Sequence, residues 1–334
     1  MPVPLSLLDL ARIAPEETPA EGLAGSVQMA QAAERTGYGR VWYAEHHNVQ
    51  QVGSSATSVV IGHVAANTST IRVGSGGIML PNHSPLVIAE QFGTLETLYP
   101  GRIDLGLGRA PGTDGDTVRA LRRSPAASQH FPEDVQELQG YLRGETLVPG
   151  VWAIPGNGTK VPLYILGSSL FGASLAGALG LPFAFASHFS PDMMIDATAT
   201  YRAEFRPSAQ LEEPYLIAVV NVVAADDDES AAVQHEGMQR TFARSIMQKE
   251  HTAPDFSEAQ VDAFRASPAG HQIAQMIKLA AVGTVDHVRT YLGDVVEAAG
   301  ADELMTIHQA PLLADRIRSI ELTAEAMDAT RLVA

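Results

Sequence analysis

The sequence contains no cysteine, few charged residues and no long apolar run. Of its 334 residues, 46% are hydrophobic and 18% are charged, which is a globular and not a disordered composition. The lack of cysteine excludes disulfides and thiolate chemistry. No stretch approaches the roughly 18 uninterrupted apolar residues that a membrane helix needs. The net charge of −16 disfavours binding to nucleic acids or to anionic membranes. Residues 1–12 lack the basic region and apolar core of a signal peptide, so we expect a cytoplasmic protein.

Short apolar runs alternate with longer helical patterns along the chain. Eight runs predict strands, and they cover residues 4–10, 40–46, 71–80, 102–108, 161–167, 182–187, 215–225 and 303–309. Helical patterns follow the first three strands, at 22–37, 54–68 and 84–99. Continuously apolar strands need cover on both faces, which indicates a parallel sheet. Eight βα units favour an α/β fold of the closed (β/α)8 TIM-barrel type over an open doubly wound sheet.

Two stretches do not fit this alternation. Residues 110–160 are rich in glycine, proline and arginine, and residues 235–282 are helical and polar. We interpret both as insertions in βα loops of one domain that spans 1–334. The acidic run at 225–230 is predicted to begin a helix, where negative charge suits the helix dipole.

Polar residues close most of the predicted strands. In a barrel these strand ends converge at one face, where TIM-barrel enzymes have their active sites. The candidates are Asp9, Glu45 to Asn48, Gly74 to Gly77, Gly108, Arg109, Gly167 to Ser169, His188 and His308. Two of these ends are rich in glycine. Such glycines indicate either a flat ligand close to the backbone or tight packing within the barrel, and both interpretations stay open.

The two adjacent histidines in YAEHHN (43–48) raise the question of a metal site. Neighbouring strand residues point in opposite directions, so His46 and His47 cannot readily bind one ion together. The sequence has no H-x-H or H-E-x-x-H spacing, so no metal site is predicted. The segment GLGRAPG (106–112) nearly matches the dinucleotide motif G-x-G-x-x-G, but Pro111 occupies the last glycine position. A nicotinamide cofactor is therefore not favoured.

Three segments together resemble one known family. VWYAEHHN (41–48), the stretch from VGSGG to GRAPG (73–112), and LGSSLFGASLAGALGLPFAFASHF (166–189) resemble the bacterial luciferase-like family of flavin-dependent monooxygenases. The resemblance covers nearly the whole chain and is closest to the short, single-subunit members. It implies a TIM barrel that binds reduced FMN supplied by a separate flavin reductase. It also implies that O₂ is used to oxygenate a small organic substrate.

The resemblance also assigns residues of the barrel face. It implies that His46 is the catalytic histidine beside the flavin, with His47 turned away. It places Arg109 near the pyrimidine edge of the flavin and the substrate. Gly76 and Gly77 fall where the family often has a cis peptide under the flavin ring. Gly108 stands where the light-emitting enzyme has a reactive cysteine.

These placements are chemically reasonable. Reduced flavin is anionic near neutral pH, so a guanidinium favours it in an otherwise acidic chain. A histidine with a pKa near neutrality can accept or donate a proton. A purely structural histidine is the alternative for His46.

The serine pair after the fifth strand is the candidate phosphate site. Ser168 and Ser169 precede a helix that is predicted to begin near Phe171, and helix N-termini bind phosphate well. Ordinary helix capping by a serine is the alternative. Asp9, His188 and His308 are further candidates for the substrate side of the pocket.

Other functions remain open at this point. Relatives that use a deazaflavin transfer hydride, and a degenerate relative of luciferase binds flavin without catalysis. The identity of the substrate cannot be inferred. We expect the loop at 110–130 to cover the pocket when flavin binds.

We also expect a homodimer, because the helices predicted at 54–68 and 84–99 are more apolar than one buried stripe requires. The residues concerned are Val59, Val60, Ile61, Val64, Leu86, Val87 and Ile88. Coverage of these helices by the C-terminal helix is the alternative.

Overall fold

The computed structural model describes residues 3–14, 16–110, 112–248 and 256–329. Pro111, which interrupts the glycine motif, and residues 249–255 of the second predicted insertion lie outside the described residues. The strands are β1 (Leu5–Asp9), β2 (Arg40–Tyr43), β3 (Arg72–Met79), β4 (Ile103–Gly108), β5 (Leu163–Gly167), β6 (Phe183–Phe185), β7 (Leu216–Ala224), β8 (Ala280–Gly283) and β9 (Glu303–His308).

Helices follow the strands on the outside of the sheet. They are α1 (Pro19–Arg35), α2 (Thr57–Ala66), α3 (Pro85–Leu98), α4 (Gly115–Ala120), α5 (Phe131–Arg143), α6 (Leu170–Leu179), α7 (Met194–Glu204), α8 (Asp228–Met247), α9 (Glu258–Arg265), α10 (Pro268–Met276), α11 (Val285–Ala299) and α12 (Leu313–Ala326). Short 3₁₀ helices occupy Leu80–Asn82, Pro125–His130 and Pro191–Met193. None of the helices in the described ranges is long and apolar enough to span a bilayer.

Eight of the strands close into a parallel barrel. Strands β1 to β7 pair in chain order, and β9 pairs with both β7 and β1. Asp9 and Tyr43, the last residues of β1 and β2, lie side by side, and Tyr43 lies beside Ser75 of β3, which continues to Met79. The predicted (β/α)8 barrel is therefore confirmed, and the carboxyl ends of its strands form one face.

Strand β8 was not among the eight predicted strands, so the predicted set was incomplete. It pairs with the last four residues of β7 outside the closed ring, and it lies at the end of the stretch predicted to be helical, 235–282. Its sequence, AAVG, is short and contains two alanines and a glycine, so it gives no strand pattern. The rest of that stretch contains most of α8, with α9 and α10, while 110–160 contains α4 and α5.

Two helix starts show how local sequence fixes the elements. Helix α1 begins three residues before its predicted start, because Thr18 and Glu21 form a reciprocal capping box. Helix α8 begins within the acidic run as predicted. Asp227 is its N-cap and accepts a hydrogen bond from the Ser230 amide at 2.7 Å.

A buried ion network closes the amino-terminal end of the barrel. The Arg40 guanidinium lies 2.8 Å from Asp104 and 3.0 Å from Glu303. Asp104 also accepts hydrogen bonds from Arg72 at 3.0 Å and from the Trp42 indole at 3.1 Å. Each buried carboxylate thus has charged partners, which is how buried charge is tolerated.

The apolar residues on α2 and α3 are mostly buried within the subunit, which corrects the argument for a dimer. Among the seven residues singled out above, Val60, Ile61, Val64 and Ile88 are buried. Val59 and Val87 remain 70% and 43% exposed. The C-terminal helix α12 packs against α1 and α11, so in the described residues it does not cover these two valines.

Candidate active site

A cavity of about 440 Å³ opens at the carboxyl ends of the strands. It brings together most of the residues that the sequence indicated, and the predicted site residues in its wall are His46, Gly76, Gly108, Arg109, Ser168, Ser169 and His188. Gly77, the next residue after Gly76, does not line this cavity. Asp9 and His308 line a neighbouring cavity of about 360 Å³, and His46 borders both cavities.

The two adjacent histidines diverge as predicted. His46 lies in the cavity wall, while His47 bonds through Nε2 to Oε1 of Glu45 at 2.7 Å. The pKa of His46 is lowered, mainly because burial disfavours the imidazolium, although a hydrogen bond to the Gly112 backbone and the charge of Glu45 oppose this shift. Burial thus favours the neutral imidazole, the form that can accept a proton.

Glu45 fixes the segment that carries His46. Its buried carboxylate accepts hydrogen bonds from His47, from His83 at 2.8 Å and from the Met79 amide at 3.0 Å. Burial disfavours its charged form, but the hydrogen bond and charge of His83 and the hydrogen bond of His47 hold the pKa of Glu45 below its ordinary value. Glu45, His47 and His83 are also a group in the described residues that lies close enough to share a metal ion. Their hydrogen bonds to one another hold the loop that carries His46.

The glycines of β3 are required by close packing. A Cβ on Gly76 would lie 2.6 Å from Cδ1 of Leu8, and one on Gly77 would lie 2.7 Å from the carbonyl oxygen of Gly106. The Gly76–Gly77 peptide is cis, as the resemblance implied. Packing thus accounts for both glycines, while the backbone of Gly76 also forms part of the cavity wall.

The start of α6 lies in the same wall. The helix begins at Leu170, one residue before its predicted start, and its N-cap residue Ser169 makes no capping hydrogen bond through its side chain. Serine capping, the alternative interpretation, is therefore not observed here. The Arg109 guanidinium stacks over the ring of Phe171, in the first turn of α6, at 3.9 Å from the ring centroid. Arg109 and the open helix N-terminus thus lie together.

The three weaker candidates have different surroundings. Nδ1 of His188 is buried without a partner in the described structure, and burial and the charge of His46 lower its pKa to about 3. His308 uses both ring nitrogens, bonding Thr306 at 2.9 Å and Ser319 at 2.7 Å, and burial lowers its pKa to about 3. Burial raises the pKa of Asp9, although Ser26 donates a hydrogen bond to its carboxylate.

Several residues of the two cavities were missed at the level of sequence. Asn221 lines the larger cavity and donates a hydrogen bond to the His188 carbonyl at 2.9 Å. The sequence could have indicated Asn221, because it is the one polar residue within the apolar strand β7. Phe242 of α8 borders both cavities, and Arg12 and Arg316 line the smaller one. Phe242 gave no signal, because it lies in a helix that looked like part of a polar insertion.

The comparisons with known proteins identify the family of the chain. The family model for luciferase-like monooxygenases matches residues 3–303. A luciferase-like monooxygenase from Escherichia coli K12 is 46% identical over 97% of this chain and 96% of its own length. The N-acetyl-S-alkylcysteine monooxygenase of Bacillus subtilis 168 is 35% identical over 70% of this chain and 72% of its own length. The crystal structure of apo-MsnO8 covers 98% of each chain with a TM-score of 0.86 and 34% identity. The chain therefore belongs to the luciferase-like monooxygenase family of oxidoreductases.

Proposed function

We propose that this protein is a monooxygenase that uses reduced FMN, supplied by a separate flavin reductase, and O₂ to oxygenate a small organic substrate. The observation that carries the proposal is one cavity in which an uncapped helix N-terminus, an arginine and a histidine of lowered pKa meet. Its volume of about 440 Å³ falls within the usual range for cofactor sites.

The residues around α6 fit the phosphate of FMN. The first amides of a helix have no partner within the helix, and here the Ser169 side chain does not satisfy them. Such a helix start favours an anion through both its amides and its dipole. The stacking of Arg109 on Phe171 adds a positive charge beside these amides. We therefore assign Arg109 to the phosphate, and not to the pyrimidine edge that the resemblance implied.

The wall formed by Gly76 and Gly108 fits the flat ring of the flavin. Neither residue has a side chain, so a planar group can lie against the backbone. When bound, reduced FMN supplies the electrons that activate O₂. The neutral imidazole of His46 accepts a proton on one of its ring nitrogens, and Glu45 holds this loop in place through His47 and His83.

The relatives support the general reaction. One relative is named for its oxygenation of N-acetyl-S-alkylcysteines, which are small organic molecules. We further propose a cytoplasmic homodimer with contacts at the exposed Val59 and Val87 of α2 and α3.

Anaerobic titration tests the choice of cofactor. We expect reduced FMN to quench protein fluorescence with tight binding, while a reduced deazaflavin binds weakly. Tight binding of the deazaflavin alone would show that the enzyme is a hydride-transferring dehydrogenase.

Replacement of His46 by alanine tests the catalytic assignment. We expect the affinity for reduced FMN to be retained, while less product forms per O₂ consumed. The step that His46 serves should slow by roughly 10²–10⁴-fold, the usual contribution of a general acid or base to a rate. An N-acetyl-S-alkylcysteine serves as the first trial substrate, and His63→Ala, at an exposed position on α2, is the matched control. Normal coupling of O₂ to product in the His46 variant would contradict the assignment.

A further inference from the structure

The smaller cavity is separate from the proposed flavin site but meets it at His46. Its volume is about 360 Å³, and Phe242 and Ile307 also border both cavities. Val52 and Met238 add further apolar wall. An apolar molecule placed here therefore has one end beside the proposed catalytic histidine.

Two arginines with unsatisfied donors line this cavity. Arg316 is only 3% exposed, and its Nε has no hydrogen-bond partner. In the described part of the chain no ion pair or side-chain hydrogen bond engages its guanidinium. Arg12 donates through Nη1 to the Gln309 carbonyl at 3.0 Å, but its buried Nε also has no partner. Buried polar groups normally have partners, so two guanidinium groups in one cavity that each keep a buried Nε without a partner indicate a ligand.

The surrounding charges do not satisfy the two arginines. The pKa of Arg12 is lowered to about 10 by burial and then by the charge of Arg316. Asp9 is the acidic residue of the cavity wall, and its oxygens accept hydrogen bonds from the Ala11 amide and Ser26. Glu17 interacts with both arginines at longer range, but it accepts a hydrogen bond from the Ala14 amide at 2.9 Å. Neither acid forms an ion pair with Arg12 or Arg316 in the described structure.

The position of Arg316 in its helix is also unfavourable for its positive charge. It lies in the first turn of α12, where the helix dipole disfavours a cation. A bound anion would offset both the repulsion between the arginines and this unfavourable position. The cavity lining carries two arginines against one acid, Asp9, and burial raises the pKa of that acid, so the site favours an anion.

We propose that Arg12 and Arg316 bind the carboxylate of the organic substrate, whose apolar body extends along the cavity toward His46. This inference rests on the proposed monooxygenase function. Guanidinium groups suit carboxylates because they can donate two parallel hydrogen bonds. The substrate class is therefore a carboxylic acid with an apolar chain or ring.

Calorimetric binding to the full-length protein tests this proposal without any turnover. The probes are octanoate and 4-phenylbutanoate, each compared with its neutral primary amide. We expect at least one acid to bind the wild-type protein about tenfold or more tightly than its amide, as charge-assisted hydrogen bonds predict. Arg12→Gln and Arg316→Gln should abolish this preference, and Arg316→Lys should retain part of it.

Arg318→Gln is the matched control, because Arg318 lies on the same helix but pairs with Asp226 at the surface. It should keep the full preference for the acid. If both acids bind the wild-type protein no better than their amides, or if the Gln variants keep the preference, the proposal is wrong. The wild-type comparison is decisive even if a variant does not fold. Since the titration contains no flavin, a failure of the FMN assignment would leave the acid preference unchanged, and the two failures are distinguishable.

Discussion

The assignment of Arg109 to the flavin phosphate gives a sharp prediction, because the phosphate can be removed from the ligand as well as the arginine from the protein. Arg109 is exposed and stacks over Phe171 beside the start of α6. A hydrogen bond to a charged group contributes about 1.5–3 kcal/mol when it is lost. Solvent screens an exposed charge, so the lower end of this range applies. Arg109→Gln should therefore weaken FMN binding about tenfold.

The assay is an anaerobic fluorescence titration with FMN and with riboflavin, which lacks the phosphate. The loss of affinity in Arg109→Gln should be the same for oxidised and reduced FMN, because both carry the phosphate. Riboflavin binding should change less than about twofold. Arg318→Gln is the control here too, because Arg318 is an exposed arginine on α12 that pairs with Asp226 at 2.6 Å.

Two outcomes would refute the reasoning. If riboflavin loses as much affinity as FMN, Arg109 contacts the ring, as the family resemblance alone implied. In that case reduced flavin should lose more affinity than oxidised flavin, because the reduced ring is anionic. If neither ligand loses affinity, Arg109 does not bind the flavin.

Two further predictions concern stability and assembly. Burial lowers the pKa of His308 to about 3, so the unfolded chain takes up a proton below about pH 6.5 that the folded protein does not, and stability is lost as the pH falls. In urea unfolding between pH 7 and pH 5, the free energy of unfolding of His308→Gln should fall by about 2 kcal/mol less than that of the wild-type protein. The exposed variant His63→Gln is the control and should follow the wild-type pH dependence. An equal pH dependence for all three proteins would contradict the prediction. The double variant Val59→Glu, Val87→Glu should give a monomeric mass by light scattering at micromolar concentration. The control, Val233→Glu, lies at a 68% exposed position on α8 and should remain dimeric. A monomeric wild-type protein would refute the homodimer.

The barrel could be predicted because its strands are buried on both faces. Strand β7 is a run of nine buried residues, and such a run leaves one interpretation once turns bound it. Boundaries were less certain. The start of α1 was missed although T-P-A-E, residues 18–21, spells a capping box. Strand β8 could not be predicted, because its pairing with β7 and not its own composition makes it a strand.

The larger cavity, the proposed flavin site, could be predicted from the sequence because its residues follow strands directly. His46, Gly108 and Ser168 each lie at or just past a strand end. Because the carboxyl ends of the strands of a parallel barrel form one face, these residues line one cavity. The second cavity was not predictable in the same way. Arg12 and Arg316 are about 300 residues apart, and each reads as an ordinary surface charge. Only the pairing of β1 with β9 brings their segments together.

Buried polar groups at the two ends of the barrel differ in the partners they have. At the amino-terminal end, Asp104 and Glu303 are buried, and both have arginine partners within 3.0 Å. At the carboxyl end, Nδ1 of His188 and Nε of Arg12 and Arg316 are buried without hydrogen-bond partners in the described residues. Nε of Arg40, at the amino-terminal end, also lacks a well-aligned hydrogen bond, but it lies 3.0 Å from the Glu303 carboxylate. Leaving such groups unsatisfied costs about 1–3 kcal/mol each, so a fold keeps them where a ligand completes their hydrogen bonds. His188, Arg12 and Arg316 line the two cavities that meet at His46, which is the arrangement that the proposed cofactor and substrate sites require.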